Sequence, residues 1–174
     1  MNNSTKNKEK KLLLIIRGLV LFFMLSLIIS GVTAFPLEAE LNILCEILDI
    51  PIDASPETYS GLKNWIATVR DGIIQTNQLY PFLAYGTDWL AFAHIIIAVA
   101  FIGLYQNPVR NKWIVYFGMI ACAGIIPLAL ICGTIRHIPF YWRLIDCSFG
   151  VFGLIPLYIM HYCINILENN EKSQ

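Results

Sequence analysis

The stretch WIVYFGMIACAGIIPLALICGTI, residues 113–135, contains no Asp, Glu, Lys, Arg or His. Twenty-three helical residues rise about 34 Å, enough to cross roughly 30 Å of hydrocarbon. Three further stretches have comparable length and apolarity: 12–35, 88–105 and 146–167. The chain of 174 residues is 57% hydrophobic and only 14% charged, with a mean hydropathy of +0.62. A soluble domain of this size would not carry so much apolar surface. The expected fold is therefore all-α, a four-helix transmembrane bundle.

The first span also has features of a signal peptide, since residues 1–11 are basic and Val32-Thr33-Ala34 resembles a small-residue cleavage site. Its apolar run continues for some two dozen residues, beyond the roughly 7 to 15 of a signal h-region, which favours a retained helix. Lys6, Lys8, Lys10, Lys11, Arg17, Arg110, Lys112 and Lys172 fall on one side of the four spans, and Lys63, Arg70, Arg136 and Arg143 on the other. The positive-inside rule then puts both termini in the cytoplasm. Tyr80, Tyr85, Trp89, Phe140, Tyr141 and Trp142 form an outer aromatic belt, and Tyr105, Trp113 and Tyr116 an inner one. The polar ends, 1–10 and 168–174, are expected to fray. Between the spans, 106–112 is a cytoplasmic loop and 136–145 an outer one.

Residues 36–87 are far longer than a bundle connection needs. Leu37, Leu41, Leu44 and Leu48 recur at helical spacing, with Glu38, Glu46 and Asp49 turned elsewhere, and the pattern stops before Pro51. A second helix is expected from Ser55 as N-cap and Pro56 in its first turn, with the stripe Tyr59, Leu62, Ile66, Val69 and Ile73. The two stripes predict an outward, periplasmic helical hairpin between spans one and two. It either covers a ligand pocket or only shields the bundle.

Ionisable groups inside a span are costly and face the interior or a cavity. Asp88, His94, Arg143 and Asp146, with Arg136 and His137 on the preceding loop, are the candidate ligand-binding residues. Arg143 and Asp146 are three apart and share a helix face with Gly150 and Gly153, spacing suited to an ion pair and to a close helix neighbour. The structural alternative is a snorkelling Arg143 and a helix-capping Asp146. Asp88 has the same ambiguity, because Thr87-Asp88 opens the second span. Pro127 and Pro156 should kink their helices and free the carbonyls of Ala123 and Phe152, which would allow a cavity beside His94 and Asp146.

Several chemistries are excluded or disfavoured. His94 and His161 lie at different depths, about 9 Å and 22 Å below the outer boundary, against a bis-histidine haem. Three histidines are too scattered to define a metal site, and no cofactor is expected. Twelve basic and twelve acidic residues cancel, with a pI near 6.8, so nucleic acid is not an expected partner. The five cysteines form no Cys-x-x-Cys motif, although Cys45 and Cys147, both on the oxidising side, are candidates for a disulfide. No motif supplies a catalytic residue.

The segments YPFLAYGTDWLAFAH (80–94) and YWRLIDCSFGVFG (141–153) resemble a group of small uncharacterised bacterial four-span inner-membrane proteins, with similarity over roughly 55–158. The resemblance implies a multi-pass protein of the bacterial inner membrane, with the outer side periplasmic. It supplies no activity. The expected partners are the lipid bilayer and either a lipid headgroup or small polar ligand in a periplasm-facing pocket, or a membrane-protein partner or second copy. A structural or assembly subunit is the alternative reading. A third is a lipid-modifying enzyme using His94 or Asp146 as acid or base.

Overall fold

The structure is a computed structural model that describes residues 3–51 and 53–172. The described residues are helical without strands: α1 (Asn3–Thr33), α2 (Leu37–Ile47), α3 (Gly61–Leu79), α4 (Tyr85–Gln106), α5 (Trp113–Ile135) and α6 (Phe140–Lys172). Short 3-10 turns at Pro56–Thr58 and Pro81–Ala84 precede α3 and α4. Helices α1, α4, α5 and α6 are long and apolar enough to cross a membrane. Their outward side chains agree: Phe22 is 60% exposed, Ile120 73% and Phe152 68%. Such exposure is a liability in water and unremarkable in lipid.

Several helix limits differ from the sequence expectation. Helix α1 begins at Asn3 and α6 continues to Lys172, so the described parts of both polar ends are helical. An apolar span is already a nucleated helix, and extending it costs little. At the far end Lys172 pairs with Glu168 at 2.7 Å, one turn apart. The Ser55-Pro56 start yields only a 3-10 turn, after which Tyr59 and Ser60 are extended and α3 begins at Gly61. Tyr59 packs against the core between α2 and α3, which requires the chain to leave the helical path there. Gly61 re-enters at φ +60°, a conformation that glycine adopts without strain. Helices α5 and α6 run continuously through Pro127 and Pro156.

The chain divides into two compact units. One comprises residues 1–25 and 98–174. Its core includes Ile16, Val20, Phe101, Leu104, Val115, Leu157, Met160 and Ile164, with Phe23 stacked on Phe101 at 5.0 Å between centroids. The close approach of α5 and α6 depends on glycines. A Cβ on Gly150 would lie 2.5 Å from the Cys122 carbonyl oxygen, and one on Gly153 2.8 Å from Cys122 Sγ. The turn from α4 to α5 is tied by Asn111, whose Nδ2 donates to the carbonyls of Gly103 (2.8 Å) and Asn107 (3.0 Å).

The other unit, residues 26–97, holds the last turns of α1, helices α2 and α3, and the first half of α4. Gly31 brings α1 against α4, because a Cβ there would meet the Ala91 carbonyl at 2.8 Å. Helices α2 and α3 enclose a small core of Cys45, Ile50, Ile66 and Ala67, flanked by Leu44, Leu48 and Tyr59. Helix α2 ends where Asp49 turns to φ 55° and Ile50 N–H donates back to the Cys45 carbonyl at 2.8 Å. Arg70 of α3 is completely buried. Its Nη1 donates to the Pro51 carbonyl at 3.0 Å, and Nε and Nη2 donate to Asp71 Oδ1 at 3.2 and 3.1 Å. One guanidinium thereby fixes the chain after α2 to the middle of α3.

Candidate functional site

The six residues singled out by the sequence divide between the units. Asp88 and His94 are on α4 in residues 26–97, whereas Arg136, His137, Arg143 and Asp146 belong to the other unit. Helix α4 begins at Tyr85, so Asp88 sits inside its first turn rather than capping it, at the end where the helix dipole favours a carboxylate. His94 Nδ1 lies 2.8 Å from the Leu90 carbonyl. A carbonyl only accepts, so Nδ1 carries the proton and Nε2 is left as an acceptor.

Arg136 is the exposed residue that ends α5, and His137 follows it at φ 56°. His137 N–H bonds the Thr134 carbonyl at 3.2 Å and Ile138 N–H the Gly133 carbonyl at 2.9 Å. His137 is therefore the left-handed residue of a helix-stop motif. Arg143 makes no ion pair with Asp146. Its side chain folds over Gly133, where a Cβ would lie 2.5 Å from Arg143 Cδ, and Nη1 donates to Thr134 Oγ1. Its guanidinium carbon stands 5.3 Å from the Phe140 ring centroid, while Nε is buried without a partner. The slot above Gly133, the Thr134 acceptor and the negative end of the α5 dipole together outcompete a carboxylate one turn away on α6. Asp146 remains half-buried on α6.

A second polar cluster joins α5 to α6. Lys112 Nζ meets Glu168 Oε2 at 2.8 Å, and Lys172 takes the other carboxylate oxygen. The hydrogen bond to Glu168 holds the Lys112 ammonium above the usual lysine range, against the opposing effect of burial. Further along α6, Asn165 Nδ2 donates to His161 Nε2 at 3.0 Å. The proton is then on Nδ1, which is buried and unpartnered, with the ring 5.2 Å from that of Tyr116. No three metal-binding side chains converge among the described residues, and all five cysteines are free.

One concave feature lies outside the candidate residues that the sequence singles out. Within residues 26–97 a cavity of about 750 Å³ opens between the start of α2, the second half of α3 and the entry to α4. Its apolar lining comprises Phe35, Leu37, Val69, Ile73, Leu83 and Ala84. Its polar lining comprises Glu38, Asn42, Thr76, Asn77 and Thr87. Asn77 Nδ2 reaches across from α3 to Glu38 Oε2 at 2.7 Å, and Asn42 Oδ1 is buried without a donor. Glu38 and Asn42 are four apart on α2, one turn, which sets them side by side. The available signal was that Glu38, Asn42, Thr76 and Asn77 are polar residues at helical spacing next to apolar stripes, but only the pairing of α2 with α3 makes them one wall. No family model, curated protein or solved structure matches this chain.

Proposed function

We propose that this multi-pass membrane protein is a ligand-holding module of the bacterial inner membrane. In this reading both termini are cytoplasmic, 36–87 is a periplasmic helical hairpin, and the groove between α2 and α3 takes a lipid headgroup or small polar ligand. The observation that carries it is the groove itself, whose lining combines apolar and polar side chains and includes one buried acceptor without a donor. Its volume is in the range of small-molecule sites, and mixed walls of this kind suit an amphipathic occupant. Thr33 ends α1 and Tyr85 begins α4, so the groove adjoins the ends of two apolar helices, at the height where headgroups stand.

Gly72 lines the groove, and a Cβ there would meet nothing within 4 Å. Gly72→Phe should therefore fill the space without disturbing the backbone. Native mass spectrometry of the purified full chain should show bound lipid on the wild type and its loss from this variant, with the melting temperature kept. Equal retention by both proteins would overturn the groove as the site.

A structural subunit is the second reading, and one observation favours it. Ile43 and Ile47, on the same side of α2, are 57% and 71% exposed outside the four spans, an apolar pair that a neighbouring membrane protein would cover. Replacing both with serine should then release a co-purifying protein without altering lipid retention.

A further inference from the structure

We propose that the groove between α2 and α3 selects a ligand carrying a protonated primary amine, with Glu38 as its counter-ion and Asn42 and Asn77 as flanking acceptors. The inference rests on the reading that this groove holds a ligand, and adds its chemistry.

Charge is the first argument. Among the fourteen residues that line the groove, Glu38 is the only ionisable one, and there is no Lys, Arg or His. The start of α2 adds about half a positive charge, which does not cancel a carboxylate. A guest with an ammonium group meets its complement there, whereas an anion with no cation of its own would have to approach a carboxylate with no side-chain cation to offset it.

Hydrogen-bond capacity is the second. Glu38 accepts one bond, from Asn77, through Oε2, and a carboxylate has roughly four acceptor sites. Asn42 Oδ1 is buried and has no donor. Leaving such an acceptor dry is unfavourable, and a guest that donates to it once the amide turns into the groove recovers that cost. The Asn77 amide, already donating to Glu38, has its own oxygen available as an acceptor. An ammonium group offers three N–H donors and no acceptor, matching a wall of oxygens. A quaternary ammonium carries the same charge without the donors, so the two features can be tested separately.

The apolar lining residues Phe35, Leu37, Val69, Ile73, Leu83 and Ala84 account for the rest of the guest. They would cover an alkyl segment next to the amine. Two sources supply that chemistry: the ethanolamine headgroup of an aminophospholipid, and a free alkylamine.

The test uses the full chain in nanodiscs of phosphatidylglycerol doped with phosphatidylethanolamine or phosphatidylcholine, with bound lipid counted by native mass spectrometry. Phosphatidylethanolamine should be retained over both other lipids. Glu38→Gln, nearly isosteric, should lower its retention about tenfold or more, as expected for loss of a charge-assisted contact. Asn42→Asp should raise it. Dodecylamine added to discs lacking phosphatidylethanolamine identifies the source: binding there points to free amines, and no binding to the phospholipid, either being consistent with amine selection. Retention of phosphatidylglycerol or phosphatidylcholine equal to that of phosphatidylethanolamine, or indifference to Glu38→Gln in a variant that melts like wild type, would overturn the amine assignment alone. Indifference of every lipid to Gly72→Phe would overturn the groove itself.

Discussion

Replacing Gly150 with alanine adds one methyl group at the closest point between α5 and α6. The new carbon would stand 2.5 Å from the Cys122 carbonyl oxygen, and the closest ordinary C–H···O approach is about 3.3 Å. The helices must therefore separate by about 0.8 Å there, loosening contacts along their length. Overpacking of this kind costs about 1–3 kcal/mol, offset by about 1 kcal/mol of improved helix propensity, which leaves a net loss of about 0–2 kcal/mol. Gly124, on the same α5, is the control: a Cβ there meets nothing within 4 Å, so Gly124→Ala should stabilise by about 0.5–1 kcal/mol. Thermal unfolding in detergent should place Gly150→Ala below Gly124→Ala, by about 1–12 °C. Gly153→Ala meets a side chain instead, Cys122 Sγ at 2.8 Å. Cys122→Ala should consequently rescue Gly153→Ala but not Gly150→Ala, whose obstacle is backbone. Equal melting of Gly150→Ala and Gly124→Ala would refute the close contact, and rescue of Gly150→Ala by Cys122→Ala would refute the assignment of the obstacle.

Arg70→Ala should destabilise α2 and α3 by about 2–4 kcal/mol, because it removes the donor to the Pro51 carbonyl and leaves a void where a fully buried side chain stood. Hydrogen exchange should show faster amides in these helices with α5 unchanged, and uniform acceleration would contradict a local role. Arg70→Lys should restore little, since one ammonium does not reproduce the fork to Pro51 and Asp71. His137→Gly should raise the melting temperature, corresponding to about 1 kcal/mol of relieved backbone strain at φ 56°. A fall would mean that the imidazole makes a stabilising contact.

The spans were legible because lipid imposes a rule that single residues obey. Residues 113–135 contain no formal charge and form α5 from Trp113 to Ile135. Limits set by local chemistry were less legible: Phe140, Tyr141 and Trp142 read as an interfacial belt, yet the backbone there is already α6. The three-residue spacing of Gly150 and Gly153 correctly marked a close contact, as both meet Cys122. The same spacing suggested an Arg143–Asp146 pair, but a competing acceptor lay elsewhere, at Thr134 beside the vacant Cβ position of Gly133. The groove was illegible for the same reason. Glu38 and Asn77 are 39 residues apart and acquire meaning only when α2 lies against α3.

The orientation on which the functional reading depends can be measured directly. In a cysteine-free version of the chain, single cysteines at the exposed positions Glu57 and Glu171 would be treated with a membrane-impermeant maleimide in intact bacterial cells. Glu57→Cys should be labelled from outside and Glu171→Cys only after permeabilisation, as expected for a groove facing the periplasm and termini in the cytoplasm. Labelling of Glu171→Cys in intact cells with protection of Glu57→Cys would invert the protein and contradict a periplasmic site.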